Sequence, residues 1–405
     1  MKGLRHQAPV HSPLSIAALL AGAWSAVSRN GTPGKAAERL SGLLRDRYGA
    51  KAVLLTDSGT AALTAALIAI SKDRGGKKAA VGLPAYGCYD LATAGDGADA
   101  PVLLYDVDPR TLAPDLAQLE ATMREGAAAV VVAHFYGCPV DLADINRAAA
   151  THGTVVIEDA AQALGGTVRD RPAGSQSSLA VLSFGRGKGL TGGSGGALLA
   201  HDRAGERILN IARGLLGDAQ RGWPELLAAT AQFILERPNV YALPAALPFL
   251  HLGESIYRAP RPLRRPTRAS CSVVAATWQL AERESEGRQR NAAELLLELR
   301  AQPGFETIVT TRHTRPGYLR LPVLVSPIVR RAVEEPAARR LGVIRGYPRV
   351  LGDLERFGDR CLNRDAAFPG SRMLAARLCT LPTHGRLTGL DIDRLKRWIR
   401  EVGGP

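Results

Sequence analysis

Between residues 50 and 200 the chain alternates short apolar runs with helix-patterned stretches, and this alternation limits its fold more than any other feature. AVLLT (52–56), AAVGLP (79–84), VLLYD (102–106), AVVVAHF (129–135), TVVIED (154–159), SLAVLSF (178–184) and GALLA (196–200) read as strands. The stretches 60–70, 114–123 and 141–152 between them read as helices. Continuous Val/Ile/Leu strands separated by helices predict an α/β fold with a mostly parallel sheet covered on both faces. At ~150 residues per domain, a chain of 405 residues predicts more than one unit. The expected division is a large α/β unit over 1–258 and a smaller α+β unit over 259–405. APRPLRRPTR (259–268) reads as the linker, followed by a long amphipathic helix from Val273 and a strand at 318–325.

Composition removes several classes of function. The five cysteines are scattered and form no CxxC pair, which predicts reduced thiols in a cytoplasm and no metal site. A formal net charge of +14 raises the question of nucleic acid, but the basic residues are spread along the chain and aromatics are only 5%. No nucleic-acid partner is expected. SPLSIAALLAGAWSAV (12–27) imitates a secretory apolar segment. The amphipathic stretch 35–49 that follows it favours a helix packed on the body, and cytoplasmic location is expected. The apolar segment 225–250 contains Glu236, Arg237 and three prolines, so it is not read as a membrane span. A hydrophobic flap, a dimer contact and a membrane-surface patch all remain open for it, with simple packing favoured.

Ligands of open α/β sheets sit at the carboxyl ends of strands, and three such ends carry unusual residues. Asp57-Ser58-Gly59-Thr60 follows a strand and opens a helix, where small residues and the helix dipole suit an anion. The same residues also make an ordinary helix cap. Glu158 and Asp159 end a buried strand, where acids call for a cationic partner or a structural ion pair. The third is the stretch Ser183–Gly196, seven of whose fourteen residues are glycine. It holds Lys188, the single lysine between Lys78 and Lys396 in a chain whose 52 basic residues include only eight lysines. The loop is no phosphate-binding P-loop, because Leu182 takes the first glycine position and Gly189 follows the lysine. Schiff-base chemistry needs a primary amine, which arginine cannot replace. An anion cup, an acid and a lysine together meet the needs of pyridoxal phosphate: a seat for the phosphate, a partner for the ring nitrogen and an amine for the aldehyde.

The stretches TDSGTAAL (56–63), HFYGCPVDLADI (134–145), VIEDAAQALGG (156–166), SFGRGKGLTGGSGGAL (183–198), VVAATWQLAE (273–282) and LPTH (381–384) occur in one order. With them the sequence resembles the DegT/StrS-type aminotransferase family of pyridoxal 5′-phosphate enzymes, fold type I, from about Ser41 to the C-terminus. The resemblance implies that Lys188 binds the cofactor aldehyde and then moves the substrate proton, with Asp159 on the ring nitrogen as the second catalytic residue. It implies Gln162 near the phenolic oxygen and Ser58, Gly59, Thr60 and Ser183 around the phosphate. An aromatic over the ring is expected in the segment Pro84–Tyr89. There an ungapped match places Cys88, with Tyr89 as the neighbouring substitute. Around the lysine the usual HPT and Asn are replaced by Gly185, Arg186, Gly187 and Gly189, and the usual acid of the glycine stretch by Ser194.

The activity so implied is transfer of an amino group from an amino acid, glutamate, to a keto sugar on a nucleotide carrier, in a homodimer serving sugar and polysaccharide biosynthesis. The excess of arginine suits a diphosphate-bearing acceptor. Two alternatives stand beside it: the same chemistry on another acceptor, including a lipid-linked one, and a non-catalytic binding or regulatory protein of the same fold.

Overall fold

The computed structural model describes residues 5–27, 35–76, 78–219, 222–245 and 256–404. Two helices, α1 (Ile16–Val27) and α2 (Lys35–Tyr48), precede a seven-stranded sheet. Its strands are β1 (Ala52–Thr56), β2 (Val81–Pro84), β3 (Val102–Tyr105), β4 (Ala129–Ala133), β5 (Val155–Asp159), β8 (Leu179–Ser183) and β9 (Gly196–Ala200). They lie side by side in the order β1-β9-β8-β5-β4-β2-β3. All neighbouring pairs are parallel except those of β9, which runs antiparallel to both β1 and β8. The strands β2, β3, β4 and β9 are buried at every residue, as expected where helices cover both faces. The mostly parallel α/β architecture read from the sequence is therefore present.

The covering helices are α3 (Gly59–Asp73), α4 (Tyr89–Gly97), α5 (Leu116–Arg124), α6 (Ala143–His152) and α7 (Arg203–Arg213). α3 is Ala-rich and buried along most of its length, lying on β8 and β9 and between α4 and α7. Its start is set by Ser58, whose hydroxyl accepts from Ala61 N at 3.0 Å. α6 stops at Gly153, in the left-handed region at φ 63°.

The apolar segment 225–250 begins within α8 (Trp223–Leu235), continues through a turn into α9 (Ala242–Ala245), and its residues 246–250 lie outside the described residues. Next comes α10 (Arg268–Arg300), about 50 Å long at 1.5 Å per residue. Its first half puts Cys271, Val274 and Trp278 in one core with Leu55, Leu182 and Leu199. Its second half puts Leu295 and Leu299 against the small sheet. That sheet is antiparallel, in the order β10 (Phe305–Thr307), β12 (Leu321–Val325), β14 (Leu378–Leu381), β13 (Ile344–Arg345). A third ribbon joins β6 (Thr167–Val168) and β7 (Arg171–Pro172) to β11 (Thr314–Arg315), so the later part of the chain is stitched back onto the earlier part. No helix among the described residues is long and apolar enough to cross a membrane.

Candidate active site

The three motifs singled out in the sequence leave the sheet at one edge. β1, β8 and β5 end within a four-strand stretch, β1-β9-β8-β5, and β9 starts there in the opposite sense. Asp57, Ser58, Gly59, Thr60, Cys88, Tyr89, Gln162, Ser183 and Lys188 all line one cavity of about 1020 Å³. Asp159, at the end of β5, stands beside it: the Lys188 charge acts on both Asp159 and Cys88.

The cup at the start of α3 is built by close approach. A Cβ on Gly59 would meet Ser183 Cβ at 2.7 Å, and one on Gly196 would come within 2.4 Å of Gly59 N. Only glycine lets the first turn of α3, β8 and the start of β9 come this close. The Ser58 hydroxyl accepts as the helix cap and keeps its O–H, which reaches Asp57 Oδ1 at 3.4 Å. Gly59, Thr60 and Ser183 line the cavity beside this open first turn. Asp57 shares this wall, its carboxyl raised by burial and eased by Ser58, Arg264 and Arg261.

The paired acids divide their work. Glu158 is fully buried and accepts from His134 Nε2 at 2.7 Å, Gly174 N at 2.6 Å and Gln176 N at 2.8 Å. His134 Nδ1 accepts from Val140 N at 3.1 Å, so the ring proton is on Nε2 and points at Glu158. Burial pushes the Glu158 carboxyl up, but these donors outweigh it and hold it below the usual range. Glu158 is a structural clasp. Asp159, half-buried, accepts only from Ala161 N at 3.0 Å, has no salt-bridge partner among the described residues, and is raised by burial. A carboxylate held in that condition is short of a cation.

Lys188 is half-buried between Gly187 and Gly189 and forms no salt bridge among the described residues. Gln162 accepts from Tyr136 N at 2.9 Å and donates to the Tyr347 hydroxyl at 2.7 Å, and it lines the cavity with a second amide N–H still to give. Tyr89 is 5% exposed and tilts against Tyr347 at 6.4 Å. Cys88 is the more open of the two, its thiol pushed up to about 12 by burial and Asp90.

Several lining residues carry no local sequence signal. Tyr347 stacks on Tyr136 at 5.6 Å, and Arg320 lies 4.9 Å over the other ring of that pair. Tyr136 sits at φ 56°, a conformation uncommon for a residue with a side chain. The Pro/Arg-rich stretch read as a linker is a wall of the cavity instead. Arg258, Arg261 and Arg264 line it, and Arg264 O accepts from Asp57 N at 3.0 Å. α8 contributes Ala228, Ala231 and Leu235, and the N-terminal strap contributes Ala8, Pro9 and Val10.

The residues fit pyridoxal 5′-phosphate. The start of α3 offers a cradle that a Cβ would fill, and among the described residues neither Asp159 nor Lys188 forms a salt bridge.

Comparison with known proteins agrees. The chain is 35% identical over 157 residues to the GDP-perosamine synthase of Caulobacter vibrioides, covering 39% of this chain and 42% of that one. It is 37% identical over 149 residues to the L-glutamine:2-deoxy-scyllo-inosose aminotransferase of Micromonospora echinospora, covering 37% and 35%. The matched stretch thus spans less than half the length of these relatives. In fold, the chain is similar to the sugar aminotransferase CalS13 of Micromonospora echinospora, with a TM-score of 0.75 at 22% identity over 97% of this chain and 98% of that one. Residues 19–222 match a family model described as the DegT/DnrJ/EryC1/StrS aminotransferase family. With that match over half its length, the chain belongs to the DegT/DnrJ/EryC1/StrS aminotransferase family.

Proposed function

We propose that the protein is an aminotransferase that moves an amino group from an amino acid, glutamate, to a keto sugar on a nucleotide carrier. Pyridoxal 5′-phosphate is the cofactor of its family, and when bound it supplies an electron sink for charge that develops at the amino-acid Cα. The first turn of α3, with Thr60 and Ser183, binds the phosphate. The Asp159 carboxylate keeps a facing ring nitrogen protonated, which also relieves its own buried charge. Lys188 Nζ would hold the cofactor in the resting site and, once released, would carry the proton between the substrate Cα and the cofactor C4′. Gln162, braced by Tyr136 and Tyr347, offers its remaining amide N–H near the cofactor's phenolic oxygen.

The observation that carries this reading is one cavity lined by an anion cup and Lys188 with Asp159 beside it, neither charged group being in a salt bridge among the described residues. Arg186, Arg258, Arg261 and Arg264 line the mouth and form no salt bridge among the described residues, which suits a diphosphate-bearing acceptor. We place the protein in the cytoplasm, as a homodimer with a larger unit over 1–258 and a smaller one over 259–405. The test is to follow amino transfer from glutamate, with glutamine beside it, to keto sugars with and without a nucleotide. Turnover that ignores the nucleotide would remove the carrier from the reading.

One observation favours a second acceptor. α1 exposes Ile16, Leu20 and Trp24, and the adjoining α8 exposes Trp223, Leu227 and Ile234 while its Ala231 and Leu235 reach the cavity. An apolar face beside a cationic mouth also suits a lipid-linked sugar. Failure of the protein to float with anionic liposomes would remove this second reading.

A further inference from the structure

Residues 5–14 precede the family-matched stretch, and no site residue expected from the sequence lies among them. The structure nevertheless pins this strap along its length. Arg5 holds Asp391 through two bonds of 3.1 and 2.8 Å, Gln7 N donates to Arg340 O at 2.9 Å, and His384 Nε2 donates to Ala8 O at 2.8 Å. Farther on, the fully buried Arg288 donates from Nη2 to His11 O at 2.7 Å, and His11 Nδ1 meets Glu236 Oε2 at 3.0 Å. The last tie is the informative one. Ser12, with no exposed surface, donates from Oγ to Lys188 O at 2.6 Å.

The base of the loop that carries Lys188 is closed by Thr191 Oγ1 and Gly192 N, which donate to Phe184 O at 3.1 and 3.0 Å, but the stretch next to the lysine is held less closely. Gly187 is exposed in the left-handed region at φ 73°, and Ser183 Oγ reaches Gly185 N only at 3.5 Å. A residue flanked by glycines samples a wide range of backbone angles unless something outside the loop restrains it. On the far side, Gly189 is seated against Leu164 and Arg288: a Cβ there would come within 2.9 Å of Leu164 Cβ and 3.2 Å of Arg288 Nη1. The strap and α10 together therefore grip the carbonyl side of Lys188.

We propose that Ser12 is a positioning residue for Lys188: its buried hydroxyl fixes the Lys188 carbonyl and so aims the amine into the cavity. The proposal rests on the reading of Lys188 as the reacting amine, while the restraint itself does not. The strap thereby becomes part of the active site, with Ser12 and Arg288 doing from outside the loop what side chains within a glycine-poor loop would do from inside.

The test uses the full-length protein with Ser12→Ala and Ser12→Thr. Amide hydrogen exchange of residues 184–191, measured without added cofactor, is expected to quicken about tenfold in Ser12→Ala, the equivalent of one lost hydrogen bond. The rate at which an amino-acid donor bleaches the cofactor absorbance is expected to fall about tenfold, with cofactor affinity and thermal midpoint little changed. Ser12→Thr, which keeps the donor, returns both toward wild type. Unchanged exchange in Ser12→Ala overturns the proposal, and so does faster exchange with an unchanged bleaching rate. A wild type that binds no cofactor would refute the enzyme reading instead, and the exchange comparison would still decide whether Ser12 restrains the loop.

Discussion

His384 gives a prediction whose size follows from the structure. It is 1% exposed, its Nε2 donates to Ala8 O, and its Nδ1 has no partner. Burial first, then the positive charges of His11 when protonated, Arg288 and Arg386, push its pKa from 6.5 down to about 3, against the raising effect of the Ala8 bond. The folded chain keeps the ring neutral while the unfolded chain takes up a proton below pH 6.5. The contribution to stability is therefore whole above about 6.5 and is lost as pH falls toward 3. At pH 5, one and a half pH units below 6.5, the loss is about 2 kcal/mol at 1.36 kcal/mol per unit. The nearby pair does not add to this. His11 is pushed down to about 3 and Glu236 up to about 7, both chiefly by burial. The pair then carries one proton in either state over most of that range. His384→Gln keeps an N–H for Ala8 and removes the titration. Urea unfolding of the full-length protein at about pH 7.5 and pH 5 should show wild type losing about 2 kcal/mol more than the variant. Parallel losses in the two proteins would refute the reasoning.

The adjacent acids should fail in different ways. Asp159→Asn is expected to slow the donor half-reaction by about 100-fold or more while leaving the thermal midpoint near wild type, since it removes charge from the cavity and little from the core. Glu158→Gln leaves one buried donor facing another at His134 or the 174–176 amides. A loss of about 3 kcal/mol in urea unfolding is expected, with any chemical loss following from the unfolding. Equal effects of the two substitutions on stability would contradict the division of roles.

How legible this was depends on whether the signal is local. The strand positions from 52 to 200 were readable because buried strands write themselves as apolar runs, and Lys188 stood out against an arginine-rich background. The pairing direction of β9 was not readable, because GALLA has the same composition as a parallel strand. The family resemblance singles out Asp159, but no local pattern separates it from Glu158: neighbours on a strand point to opposite sides, and the fold shows which side holds His134. Tyr347, Arg320 and the 258–264 wall reach the site from far along the chain, so no spacing announces them. The Pro/Arg-rich stretch was misread for a related reason. Proline removes amide donors and strand periodicity, which looks like a linker even when the backbone, as at Arg264, is hydrogen-bonded in place.

The central claim is that Lys188 is the amine of a pyridoxal-phosphate aminotransferase, and the visible absorbance spectrum with added cofactor tests it most directly. Wild type is expected to develop a band that borohydride fixes and that glutamate bleaches, with Lys188→Ala developing no such band. A wild type without that band, or a band of equal strength in Lys188→Ala, would contradict the account.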